Sequence, residues 1–195
     1  MKLNSWVKSA AFAVLFAGLS QMASAMDLQA ESSQLNFVTV KNDRIAEAMS
    51  FRTLWGSFDE KSGEAEIHID LASVDSGIEI RDSRMKEFLF ETAKFKEAVY
   101  TAKVDVALLK KMKNGQQNTL TLDGTLDLHG ETAQVSFEVV VTRLRDGSLQ
   151  VATLKPGFVS AMNFALETGI GILKDIAKLG CIDLVVPVTF NVTFK

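Results

Sequence analysis

Four stretches of the chain alternate apolar and polar residues with the period of two that a half-buried β-strand requires. In residues 64–71, Ala65, Ile67, Ile69 and Leu71 fall on one face and Glu64, Glu66, His68 and Asp70 on the other. Residues 119–129 set Leu120, Leu122, Leu126 and Leu128 against Thr119, Thr121, Asp123, Thr125, Asp127 and His129. After them, Val135, Phe137, Val139 and Val141 share a side, so Gly130-Glu131 is predicted as a hairpin turn. The C-terminal stretch alternates through Leu184, Val186, Val188, Phe190, Val192 and Phe194, with a proline at 187 that fits only near an edge, a bulge or an outward break in the ladder. Further strands are predicted at 33–41, 49–58, 98–109 and 148–159, separated by turn residues such as Lys61-Ser62-Gly63, Lys113-Asn114-Gly115 and Arg145-Asp146-Gly147. About eight strands with one apolar face each imply an all-β antiparallel sandwich or closed barrel, and the period alone does not choose between them.

Two segments leave the β pattern. In 82–92, Asp82 suits an N-cap, and Met85, Phe88, Leu89 and Thr92 recur at the spacing of one helix face. In 166–180, Ile172, Leu173, Ile176 and Ala177 oppose Lys174, Asp175 and Lys178, and Gly180 suits a C-cap. Two short amphipathic helices in a β-fold must bury their stripes on something, and the end of a barrel is the available place.

The N-terminus changes the picture of the whole. Lys2 and Lys8, the apolar run 10–19 and the small triplet Ala23-Ser24-Ala25 read as a secretory signal peptide cleaved after Ala25. The apolar run is too short to span a bilayer. Removing 1–25 leaves 170 of the 195 residues, enough for one domain, 26–195, with a sizeable core. With Lys2 and Lys8 gone, 19 basic side chains (21 − 2) face 24 acidic ones, which argues against a nucleic-acid partner. Cys181, the single cysteine, cannot form an internal disulfide and is expected as a small buried hydrophobe before the last strand, with a reactive or intermolecular thiol as the alternative.

Signals of catalysis are sparse: no nucleophile turn, no zinc-protease motif, no cysteine pair, no phosphate-cradling glycine loop. Glu66, His68 and Asp70 alternate onto one strand face and could offer ligands to a cation, but the solvated side of an amphipathic strand explains them, and no metal site is expected. His129, two residues after Asp127, is expected as an outward turn residue. Arg81, Asp82 and Arg84 at a helix start are either ordinary solvated charges or a seat for a polar head group. Eleven phenylalanines follow residue 25, against one tyrosine. Phe37, Phe51, Trp55, Phe58, Phe88, Phe90, Phe137 and Phe164, with Leu122 and Leu126, either fill an ordinary core or line a tunnel, since an eight-stranded barrel holds side chains or one slender ligand.

Three motifs in order, "LWGSFDEKSGEAEIHIDLASVDSG" (54–77), "IRDSRMKEFLFET" (80–92) and "LDGTLDLHGETAQVSFEV" (122–139), resemble the YceI family of bacterial periplasmic, polyisoprenoid-binding-like proteins. The resemblance implies a lipocalin-like antiparallel barrel of eight strands, exported to the periplasm, with an apolar tunnel for an isoprenoid chain and the 82–92 helix over or beside its opening. It carries Arg81 and Asp82 over as the family's Arg-Asp pair, whereas Arg84 stands where the family has histidine, Phe95-Lys96 where it has Tyr-Pro, and Phe164-Ala165 where it has Phe-Gly. The resulting expectation is a non-enzymatic carrier or sequestering protein, without a resident cofactor, that binds a long-chain amphiphile. Two other classes compete with it. One is an interaction module, in which the 166–180 helix docks through Ile172, Leu173 and Ile176 on a partner or on the membrane surface; a homodimer is a separate expectation. The other is a hydrolase at the barrel mouth that uses Asp82 or His129, which would require the two to converge.

Overall fold

The structure, a computed structural model, describes residues 25–195. The signal peptide expected at 1–25 lies outside the described residues except for Ala25.

The alternating stretches become strands of one curled antiparallel sheet. In chain order they are β1 (Ala25–Asp27), β2 (Gln34–Lys41), β3 (Ile45–Phe51), β4 (Leu54–Asp59), β5 (Glu64–Asp70), β6 (Val74–Asp75), β7 (Glu97–Lys103), β8 (Gln117–Leu128), β9 (Glu131–Arg143), β10 (Leu149–Thr153), β11 (Gly157–Ser160) and β12 (Val185–Phe194). The sheet runs from β4 through β5, β7, β8, β9, β10, β12 and β2 to β3, which curls it into a barrel. Its seam lies between β3 and β4. At one end the seam is bridged by β1, which pairs with β4 and meets the end of β12 through the Asp27–Lys195 backbone bonds. At the other end the two-residue β6 pairs with β3.

Three predicted strands are broken. The 49–58 stretch splits at Arg52-Thr53 into β3 and β4, a corner that carries the chain across the seam. The 98–109 stretch stops at Lys103, because the Asp105 carboxylate accepts the Ala107 N–H at 2.8 Å and starts the helix α2 (Val106–Lys110). The 148–159 stretch breaks at 154–156, around Pro156, leaving β10 and β11 on successive parts of the same side of β12. Pro187 lies opposite Phe158 of the short β11, on a strand that is not an edge; it falls just past Val188–Phe37, the last pair of the β2 ladder, so it meets the expectation as a break in the ladder rather than as an edge. The β8–β9 turn centres on His129 and Gly130, both with left-handed φ, one residue earlier than expected.

The helices also differ from the sequence reading. Instead of starting at Asp82, α1 spans Glu79–Arg84 and continues into a wider turn at Met85–Leu89, where the Phe90 N–H reaches the Met85 carbonyl five residues back at 2.9 Å. The second helix, α3, spans Glu167–Ile176 and ends at Ala177, short of Gly180, with Lys178 in the left-handed region. It crosses the wide turn closely enough that a Cβ on Gly169 would lie 2.4 Å from the Phe88 carbonyl oxygen and 2.8 Å from the Leu89 Cα. These two segments cap one end of the barrel. The core lies inside it and includes Phe164, Val139, Val192, Leu71 and Val141 as its most deeply buried members.

Candidate ligand-binding cavity

Inward residues of nine sheet strands and the two capping segments line a cavity of about 150 Å³. Its walls include Leu35 and Phe37 from β2, Ile67 and Ile69 from β5, Ala98 and Tyr100 from β7, and Leu126 and Leu128 from β8. Leu89, Phe90, Leu166 and Ile170 close the capped end. Every lining residue is Leu, Ile, Val, Phe or Ala except Tyr100. The Tyr100 hydroxyl is already engaged with the Val135 and Leu122 carbonyls, at 3.0 and 3.2 Å. Burial pushes its pKa far up, so it is a neutral donor at any physiological pH. A second cavity of about 40 Å³ lies toward α2, walled by Phe58, Leu109, Leu122, Val141 and Phe194 among others. Ile67, Tyr100, Phe190 and Val192 wall both chambers.

Of the residues expected to line a tunnel, Phe37, Phe51, Phe90, Leu126 and Phe137 face the larger chamber, and Phe58 and Leu122 the smaller. Three do not. Trp55 is 43% exposed and stacks on His68 outside the barrel, ring centroids 5.1 Å apart. Phe164 is fully buried but packs in the core away from both cavities. Phe88 faces neither cavity, because the extra residue in the wide turn rotates the register so that Leu89 and Phe90 point inward instead. Ala98, Ala161, Ile170 and the C-terminal valines were missed. Their signal, small or aliphatic residues at inward positions, does not distinguish a tunnel wall from a packed core.

The charged residues of α1 serve the cap itself. Arg81 donates to the Glu47 carboxylate and to the Ser76 carbonyl, both at 2.6 Å. Lys41, and then Arg81, hold the Glu47 carboxyl below its ordinary pKa against the opposing effect of partial burial. Asp82 does not cap its helix. It accepts the Ser76 N–H at 2.8 Å and the Ser76 hydroxyl, closing the loop that leads into α1. The Arg84 side chain has no hydrogen bond or ion pair among the described residues.

His129 is not an outward residue. Its side chain is 10% exposed, its Nε2 lies 2.8 Å from a Glu91 carboxylate oxygen and its Nδ1 3.2 Å from the Phe164 carbonyl. It therefore ties the β8–β9 turn to the loops flanking both capping segments. Asp82 and His129 each have their own partners and neither faces the cavity, so they do not converge.

On the outer face, His68 is held by Glu66 at 2.6 Å and Glu97 at 3.1 Å, while Asp70 turns away to accept the Ala72 N–H at 2.9 Å. Among the described residues no three His, Cys, Asp or Glu side chains are arranged so that they could hold a metal ion. Cys181 is partly exposed rather than buried, 3.4 Å from Asp43, which raises its thiol pKa. On α3, Leu173 packs against the core while Ile172 and Ile176 stay partly exposed, so the three do not share one free face.

Comparison with known proteins agrees with this architecture. The YceI-like domain profile matches residues 26–194. A solved polyisoprenoid binding domain from Saccharophagus degradans, implicated in plant cell wall breakdown, is 36% identical, with a TM-score of 0.83 over 87% of this chain and 97% of that one. BcnA from Burkholderia cenocepacia shares the fold at 18% identity, with a TM-score of 0.60 over 85% of this chain and 98% of its own. No curated protein matches the chain. A capped antiparallel barrel with an apolar interior, matched along nearly all the described residues, places this chain in the YceI family.

Proposed function

We propose that the protein binds a long-chain amphiphile, an isoprenoid or a fatty acyl chain, with the tail inside the barrel, and that it acts as an exported, periplasmic carrier or sequestering protein rather than an enzyme. The observation that carries this reading is the larger chamber, whose one polar group is spent on two backbone carbonyls. Such a wall offers a tail no hydrogen bond and no charge, only burial, at about 0.8 kcal/mol per methylene. The 36% identity to a polyisoprenoid binding domain supports the same ligand class. Among the charged residues of α1, Arg81 and Asp82 are committed to the cap, which leaves Arg84 to meet a polar head.

The test is mass spectrometry of an organic extract of natively purified protein, alongside an Ala98→Phe variant that fills the larger chamber from β7. Wild type should release a long-chain lipid and the variant little or none. Wild type that releases no lipid and binds neither a prenyl alcohol nor a fatty acid would refute the reading.

A further inference from the structure

The two chambers are divided by a row of three rings. Tyr100 meets Phe137 edge-on, with centroids 5.5 Å apart and planes at 82°, and Phe137 meets Phe190 in the same way at 5.1 Å and 77°. Edge-to-face contacts of this kind are attractive beyond the area they bury, so the row holds together.

Its members are not equally fixed. Tyr100 is held through its hydroxyl by carbonyls of β8 and β9. It also lies over Gly124, where a Cβ would come within 2.3 Å of its Cζ. Phe137 lies over Gly157, where a Cβ would come within 2.4 Å of its ring. Both glycines occupy inward positions of their strands, so the barrel wall is recessed to receive these two rings. Phe190 has no such recess. On the side facing the break between β10 and β11, its N–H and carbonyl are both served by one Thr153 hydroxyl, at 3.2 and 3.3 Å, in place of a strand partner. It sits where the ladder on this side of β12 passes from β10 to β11.

We infer that Tyr100, Phe137 and Phe190 form a chain-length stop: the tail of a bound amphiphile ends against this row, and Phe190 is the leaf whose size sets the longest tail accepted. The inference rests on the lipid-binding reading above. A cavity of the larger chamber's size takes about one benzene-sized group, so the innermost tail segment it holds is about one isoprene unit, and the rest of a longer chain leaves past Leu89, Phe90, Leu166 and Ile170 at the capped end.

The experiment measures the affinity of prenyl alcohols of one to four isoprene units for wild type, Phe190→Leu and Ala102→Leu. Ala102 walls only the smaller chamber, so its enlargement fills the space behind the stop. For wild type, affinity should rise to about two units and then level off. Phe190→Leu, which keeps most of the apolar bulk and so the fold, should bind the four-unit probe about tenfold more tightly than wild type, because two or more further methylenes become buried. Ala102→Leu should leave every wild-type affinity unchanged and, combined with Phe190→Leu, should abolish that gain. Should Phe190→Leu fail to fold, Phe190→Met takes its place. A steady rise through four units in wild type, with the same profile in the Phe190 variant, would overturn the stop while leaving lipid binding intact, and so would weaker binding of the two-unit probe by Ala102→Leu alone. Absence of binding at every length would overturn the lipid-binding reading and the stop with it.

Discussion

His68 stands between two carboxylates on the outer face, and its protonation is coupled to folding. Partial burial opposes the charged ring, but hydrogen bonds and charge from Glu66 and Glu97 outweigh it and hold the pKa above the ordinary value. With the folded pKa above the unfolded one, near 6.5, the stabilisation is complete below the unfolded pKa and is lost as pH rises through the folded pKa. Both carboxylates are more than 40% exposed, which limits the effect to about 1 kcal/mol at most. Urea denaturation of wild type and His68→Gln should therefore show a stability gap that is widest below the unfolded pKa and narrows as pH rises above it; a gap independent of pH would contradict the coupling. At Gly124 the constraint is steric. Even alanine there would drive Tyr100 off the Leu122 and Val135 carbonyls, and Gly124→Ala should cost about 1–3 kcal/mol by thermal melting. The leucine row 120, 122, 126, 128 is plain in the sequence, but the reason position 124 interrupts it is not, because the ring that needs the space comes from a strand more than twenty residues away.

Among the elements, the strands were the most legible, since a period of two survives in any chain with one buried face. Breaks within strands were not. The alternation of 98–109 continues without a change in composition, yet Asp105 supplies a local cap that ends β7 and begins a helix. The capping segment 79–89 was visible as a helix but not as a widened one, and that single extra residue decides whether Phe88 or Phe90 faces the cavity. The cavity walls were legible only in kind, because aliphatic residues look alike whether they fill a core or line a tunnel. The contact between the two capping segments yields a prediction at this scale. In Gly169→Ala the new methyl group meets backbone atoms, which cannot swing aside as a side chain would. Helix α3 must lift, taking Leu166 and Ile170 out of the cavity wall, and bound lipid should exchange faster in a fluorescent-lipid displacement assay while the barrel strands keep their hydrogen-exchange protection. Equal exchange rates in wild type and variant would mean that α3 does not cover the tail.

For the molecule as a whole, the described part of the chain has no internal disulfide, so the apolar interior must supply its cohesion. A tail that occupies that interior in the folded state alone adds to it by mass action, by about 2.7 kcal/mol at a hundredfold excess over Kd. Delipidated protein should then melt about 5–10 °C below loaded protein in calorimetry, and identical melting curves would show that the tail lies elsewhere. The seam between β3 and β4 also has mechanical meaning. A barrel laced all round has a fixed girth, whereas this one resembles a split ring clasped at one end by the short β1, which joins β4 to the end of β12. A split ring can dilate by yielding at its clasp while every other ladder stays closed, and under the proposed lipid binding that give would fit it to a branched chain of uneven thickness that a seamless hoop would refuse.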